Sequence, residues 1–402
     1  MLTTIGANSY GQLSLGDTED RTLPVRSTSH VSEVKQISGG GGHTVVLTCN
    51  GECFLCGNNN KGQLGMILDE SLCLKQLSLP TTVMKVSCGW EHTLALTNNG
   101  DVFAWGSNSH GQAGLELDSS SPVKVEGFNG HPVRDVAAGI RHSLAVTDDG
   151  NVWTWGAERE VSWDGWKICR ADRGGLISRG LLSCLFVYYA TLHTASSQIT
   201  IRSRQTWQVS EELKCRSVAA GAYHSLAITV HNRLFGWGDN KRGQLAIEPD
   251  KTAGTLMFSK PKEISWNSEK STEVISCVAS GWTHVLILLD GGDVYSWGRN
   301  VYCQLGRPSE SDQTDGSRRM DMCWKPAKVP HLPKIDHIAC GSEHNIALTA
   351  NGEVYCWGWN EHGMCADGTE EDVQVPKQVA TLDKFKTHVI GSGAGHCMVA
   401  CS

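Results

Sequence analysis

The sequence predicts an all-β protein, a seven-bladed β-propeller of about 50-residue repeats whose ring is closed by its N- and C-terminal segments. Three observations lead there. A Gly-x-x-His element occurs seven times, its spacing suits a four-stranded blade, and the two ends of the chain are complementary fragments of one repeat.

The copies run Gly40 to His43, Gly89 to His92, Gly139 to His142, Gly221 to His224, Gly281 to His284, Gly341 to His344 and Gly393 to His396. Successive histidines stand 49, 50, 82, 60, 60 and 52 residues apart, so the 82 marks an insertion of roughly 30 residues. Each His opens an apolar run such as "HTVVLT" or "HSLAIT", which reads as a buried strand. A tight turn follows at Asn50-Gly51, Asn99-Gly100, Asp149-Gly150, Gly291-Gly292 and Asn351-Gly352, with His231-Asn232 in the fourth unit; Gly and then Asn best tolerate positive φ. The next strand ends in Trp105-Gly106, Trp155-Gly156, Trp237-Gly238, Trp297-Gly298 and Trp357-Gly358, with Cys56-Gly57 as a variant.

A loop of the type "NNKGQLG" then starts at Asn8, Asn59, Asn108, Asn240, Asn300 and Asn360; the unit after Gly156 lacks it. The start, "LTTIGANSYGQLSLG", has no preceding Gly-x-x-His strand, and the finish, "GSGAGHCMVACS", has that strand and stops. Together they make one unit, and a ring closed this way leaves no open sheet edge. The expected organisation is a single propeller over 1–402, with an irregular insertion at about 157–217 and a longer loop at about 307–335.

Composition fits a turn-dense globular chain: 40% hydrophobic, 19% charged, 44 Gly and 11 Pro. A net charge of -7 offers no bulk attraction to phosphate, so direct nucleic-acid binding is not expected. The start lacks a secretory signal pattern, and the longest apolar stretch, "LLSCLFVYYATL" at 181–192, is too short to span a bilayer as a helix; no membrane insertion is expected. The 16 Cys are scattered, often within strand-like runs, and read as mostly reduced, buried thiols.

A ring of histidines suggests a metal or proton site, but a residue that recurs once per blade fits one local hydrogen-bonding role repeated. Cys53 and Cys56 lie three apart on a predicted strand, pointing to opposite faces, with no second pair to complete a zinc site. Phosphate-binding loops, nucleophile elbows and zinc-protease helices are absent from the sequence, so neither cofactor, metal nor covalent catalysis is expected.

These repeats resemble the regulator of chromosome condensation family, whose fold is a seven-bladed propeller; the resemblance spans the chain outside about 157–217 and part of 307–335. "ANSYGQLSLG", "GGGGHTVVLT", "CGSEHNIALT" and "WGWNEHGMCADGTE" look most like a member linked to small GTPase regulation and to the exocyst. The resemblance implies a guanine nucleotide exchange factor for a small GTPase, with a role in secretion, an exocyst subunit as a further partner, and residence in cytoplasm and nucleus. The alternative is a propeller scaffold that binds an exocytic component or a GTP-loaded GTPase without driving exchange.

In the chromatin-bound member, the face bearing the Gly-x-x-His turns contacts the GTPase. Carried over, that face presents Trp90, Glu91, Arg141, Tyr223, Trp282 and Glu343, with His43, His344 and His396 adding polar contacts. Where that member presents acidic residues this chain often has Trp, Arg or Ala, so the same GTPase need not be recognised, and no matching nucleotide-displacing wedge is identified. A plant ultraviolet-B photoreceptor of the same fold uses clustered Trp in similar turns. Here only Trp90 in "GWEHT" and Trp282 in "GWTHV" resemble them, in units that are not adjacent, so coupling between them is not expected.

Overall fold

The computed structural model describes residues 1–156, 207–210, 212–248, 256–266, 273–307 and 322–402. These build seven four-stranded antiparallel sheets, the blades of a propeller around a central shaft. Blade 1 runs outward from Val34–Gly39 to Glu70–Leu77, blade 2 from Val83–Cys88 to Ser119–Lys124, and blade 3 from Val133–Ala138 to Trp207–Gln208. Blade 4 runs from Cys215–Ala220 to Met257–Glu263, blade 5 from Ile275–Ser280 to Met322–Lys328, and blade 6 from Ile335–Cys340 to Val373–Gln378.

Blade 7 closes the ring as expected. Its inner strands Thr387–Ser392 and His396–Cys401 continue into Leu2–Gly6 and Arg21–Arg26, with Leu2 opposite Ala400 and Gly6 opposite His396. The insertion expected at 157–217 lies largely outside the described residues, but it ends earlier than expected: Cys215–Ala220 is already the inner strand of blade 4. Likewise Met322–Lys328, within the expected long loop, is the outer strand of blade 5, and 308–321 lie outside the described residues.

Burial explains the strand composition. The strands that begin with the repeat His are buried at every residue because neighbouring blades cover both faces, so they read as continuous apolar runs without alternation. Outer strands such as Arg21–Arg26 and Ser119–Lys124 have no fully buried residue. Between blades lie the indoles of Trp105, Trp237, Trp297 and Trp357, each 0% exposed.

The repeat histidines bind each blade to the next. Nε2 of His43 meets Thr93 Oγ1 at 3.0 Å, His92 meets Ser143 Oγ at 2.9 Å, His142 meets Ser225 Oγ at 3.1 Å, and His396 meets Thr44 Oγ1 at 2.7 Å. His284 meets Asn345 Oδ1 at 2.8 Å. The acceptor is thus the residue following the next blade's His. Thr44, Thr93 and Ser143 donate their hydroxyl protons to the carbonyls of Gln12, Gln63 and Gln112, and Asn345 Nδ2 donates to that of Gln304. Their lone pairs therefore face the imidazoles, which assigns the Nε2–H tautomer from the network.

Two blades lack a suitable acceptor at that position. Blade 5 has Val285 there, and His224 turns instead to Ser280 Oγ at 2.9 Å. Blade 7 has Cys397, and His344 reaches Ser392 Oγ at 3.0 Å with the Cys397 sulfur at 3.2 Å. Ser280 and Ser392 each directly precede the turn glycine, so one hydroxyl is replaced by another from the adjacent strand.

The other side of each ring explains why the motif needs Gly. A Cβ on Gly89 would lie 2.1 Å from His92 Cε1 and 2.5 Å from the Gly139 carbonyl oxygen. Nothing larger than hydrogen fits between ring and turn. Gly106, opposite His92 in register, has φ +98°, and a Cβ there would lie 2.4 Å from the Glu91 carbonyl oxygen.

In five junctions an Asn-to-Gln loop docks its blade onto the next through such a carbonyl, that of Gln12, Gln63, Gln112, Gln244 or Gln304. Asn59 Oδ1 accepts from Leu64 N at 2.8 Å and Gln63 Oε1 from Lys61 N at 2.9 Å, holding the loop so that the Gln63 carbonyl also receives Trp105 Nε1 at 2.8 Å. Gln244 and Gln304 receive Trp297 and Trp357 in the same way. In blade 1, where Cys56 replaces the Trp, its thiol donates to the Gln12 carbonyl at 3.5 Å. Cys53 and Cys56 are both buried on the one strand, and burial pushes the Cys53 thiol up to about 12.

Burial holds His43, His92, His224 and His344 at about 3, and His142 and His396 at about 4, below the ordinary 6.5. These rings fold neutral, while in the unfolded chain they take up protons near 6.5. The stability this provides is complete above that value and is lost as pH falls toward the folded values, at about 1.4 kcal/mol per pH unit for each ring. The melting temperature is therefore expected to be flat above about pH 7 and to fall steeply from pH 6.5 to 5, in thermal melts at constant ionic strength. An unchanged value at pH 5 contradicts neutral burial.

The replacement acceptor gives a second expectation. Ser280→Ala leaves the His224 Nε2–H buried without a partner and should cost about 1–3 kcal/mol in denaturant unfolding. Adding Val285→Thr restores an acceptor at the usual position and should recover much of that loss; Val285→Thr that only adds to the damage refutes the exchange of roles.

Candidate functional site: the face of the glycine–histidine turns

The turns joining the first and second strands and the Asn-to-Gln loops joining the third and fourth emerge on one face of the ring, because His and the Trp-Gly glycine are paired in register. Backbone hydrogen bonds lace neighbouring turns together: Gly41 N to Trp90 O, Ala222 N to Trp282 O, Trp282 N to Ser342 O, Ser342 N to Ala394 O and Ala394 N to Gly40 O, at 2.8 to 3.1 Å. The rim is therefore preorganised. It surrounds a narrow void of about 80 Å³ at the shaft mouth, lined by small turn residues together with Trp90, Ile140 and Trp282.

Trp90 and Trp282 meet across that mouth. Their ring centroids are 5.3 Å apart at 61°, an edge-to-face contact, which corrects the expectation that residues from non-adjacent units stay apart. All turns converge on the shaft, so distance around the ring does not measure distance across it. The four-glycine run Gly39–Gly42 makes the room: a Cβ on Gly41 would lie 2.8 Å from Trp90 Cδ2. Trp90 is 37% exposed and Arg141 is exposed, while Glu91, Tyr223 and Trp282 are half-buried.

The other predicted face residues lie deeper. His43, His344 and His396 are buried under the turns with Nε2 engaged between blades, so they have no free surface for a partner. Glu343 is also buried. Its carboxylate receives Arg299 Nη1 at 2.8 Å, Thr283 Oγ1 at 3.2 Å and Gln304 Nε2, and stands 3.8 Å from His284 Nδ1. Burial lowers the His284 pKa, the Glu343 charge and the Asn345 hydrogen bond oppose that, and Arg299 adds to the lowering. Glu343 thus fixes the blade 5–blade 6 junction.

Sequence reasoning passed over the residues around this clamp. The Arg299 guanidinium lies 5.0 Å from the centroid of Tyr302, whose ring is 6.3 Å from Trp359; Trp359 is 5.5 Å from His362, and His362 Nδ1 is 2.8 Å from Asp20. Arg299 and Trp359 occupy the same place in their repeats, directly after the Trp-Gly glycine, and that is the signal that could have found them. Among the described residues, one group has metal-ligand spacing: His131, Asp148 and Asp149, on the opposite face. It is surface-lying, and the Lys214 ammonium 3.9 Å from Asp149 works against a cation there.

Comparison with known proteins agrees with this geometry. The RCC1-like domain matches residues 1–399. The secretion-regulating guanine nucleotide exchange factor of Bos taurus is 37% identical over 98% of this chain and 82% of its own length, and that of Mus musculus is 34% identical over the same shares. Prp20p from Saccharomyces cerevisiae, a protein described with its binding to Gsp1p and histones, superposes with a TM-score of 0.80 at 24% identity, covering 100% of this chain and 91% of that one. With seven closed blades, a buried histidine in every blade junction and a match running nearly end to end, the chain belongs to the RCC1-like propeller family.

Proposed function

We propose that the protein is a guanine nucleotide exchange factor for a small GTPase, acting in the regulation of secretion from the cytoplasm and nucleus. The observation that carries this is its likeness, over 98% of the chain, to proteins named for that activity. Support comes from the turn face, where a preorganised rim presents Trp90, Trp282, Tyr223, Glu91 and Arg141, the kinds of aromatic and Arg side chains that dominate protein interfaces. An exocyst subunit is proposed as a further partner on the same ground of likeness.

The mechanism asks for no covalent step. A face that binds the nucleotide-free GTPase more tightly than the loaded one weakens nucleotide binding by the same factor, by linkage. A thousandfold weakening of nucleotide binding requires about 4 kcal/mol of that difference. The laced turns suit this task because an ordered rim loses little entropy when it seizes the less stable form of its partner. The buried histidines hold the rim in place and take no part in proton transfer.

The test is binding to a panel of small GTPases in nucleotide-free, GDP-loaded and GTP-analogue-loaded states, followed by release of a fluorescent nucleotide from those that bind. Preference for the empty state with accelerated release is expected, and Trp282→Ala should reduce both more than tenfold with the melting temperature little changed. Preference for the GTP-loaded state identifies a scaffold instead, and no binding in any state defeats both readings.

A further inference from the structure

We propose that the cleft between the outer loops of blades 5 and 6 is a docking site for a basic segment of a partner protein, inserting an arginine side chain between aromatic rings and carboxylates. The cleft encloses about 370 Å³ and is lined by Tyr302, Trp359, Glu361, Glu370, Glu371 and Asp372, with Gln374 completing the wall. Among the described residues, no cationic side chain lines it.

Arg299 is paired, among the described residues, with Glu343, Lys377 with Asp367 and Arg21 with Asp17, at 2.7 to 3.0 Å. Among the described residues, Glu361, Glu370 and Glu371 appear in no ion pair, although all three line the cleft. A like-charged wall beside the half-buried rings of Tyr302 and Trp359 attracts a cation by both terms, the second adding to the first where water is partly excluded.

The rings point to the kind of cation independently of the carboxylates. Arg299 stacks on Tyr302 at 5.0 Å while its guanidinium binds a carboxylate, so the molecule already uses one such sandwich next door. Trp359 is held for a similar role, its Nε1 donating to Glu361 at 3.2 Å and its ring braced by His362. A planar guanidinium can stack and pair at once, which favours arginine over the more strongly hydrated lysine ammonium. The cleft lies outward from the Trp90–Trp282 pair on the same face, and the inference stands whether or not exchange is catalysed.

The test uses the full chain and a fluorescein-labelled tetra-arginine peptide, read by anisotropy, beside tetralysine and tetracitrulline. Tetra-arginine is expected to bind most tightly, to weaken as salt rises, and to lose at least fivefold in affinity in the Glu370→Gln/Glu371→Gln variant. Both positions are exposed, so that variant keeps the fold. Asp148→Asn/Asp149→Asn removes the same charge on the opposite face and is expected to change little. Equal losses in the two variants, or tetracitrulline binding as tightly as tetra-arginine, overturn the proposal in favour of general attraction to an acidic protein.

Discussion

One hydrogen bond, made in every blade junction, organises this molecule: an imidazole Nε2–H reaching from one blade to an oxygen or amide acceptor on the next. Because the ring sits beneath a tight turn, it demands glycine above it. Its acceptor also donates to a backbone carbonyl, which the Asn-to-Gln loop supplies to Thr44, Thr93, Ser143 and Asn345 and the turn glycine supplies to Ser280 and Ser392. Three recurrent sequence signatures are thus parts of one junction. The indoles then fill the space those bonds define.

The division of labour between junction and face follows. The junction histidines are buried and recur in every repeat, whereas the turn residues between Gly and His differ from blade to blade, from the exposed Arg141 to the buried Glu343. Chemical individuality collects at those turns and at the loop tips beside them. The face accordingly has regions of different character: aromatic at the shaft mouth, basic at Lys241 and Arg242 in blade 4, and acidic around Glu361 and Glu370 in blade 6. A partner that spans such a surface is recognised by its pattern of charge as much as by its shape.

The blades and their closure were legible in the sequence because they depend on local constraints repeated many times. The turn chemistry at Gly51 or Asn232, the buried runs after each His and the split seventh unit all announce themselves within a few residues. The face was legible only in part. Trp90 and Trp282 lie far apart in the chain and in the order of blades, and only convergence on a shared shaft brings them together. Exposure of Glu343 was misjudged because its cover, Arg299 and Gln304, comes from the neighbouring blade. The substitution of Ser280 for a missing hydroxyl at Val285 was invisible for a related reason: it trades atoms between two strands, which a motif aligned along one strand does not register.

The seam in blade 7 has a consequence for the birth of the protein. The Met1 ammonium donates to the carbonyl of Cys401, 400 positions away, and Leu2–Gly6 pairs with His396–Cys401 along its whole length. A strand synthesised among the first can find its partner only when the last one has left the ribosome. Until then the earlier blades can stack one upon another by contacts between close neighbours in the chain, but the first and last junctions stay open. Closure is the longest-range pairing in the molecule and carries the largest loop entropy, so it belongs at the end of folding.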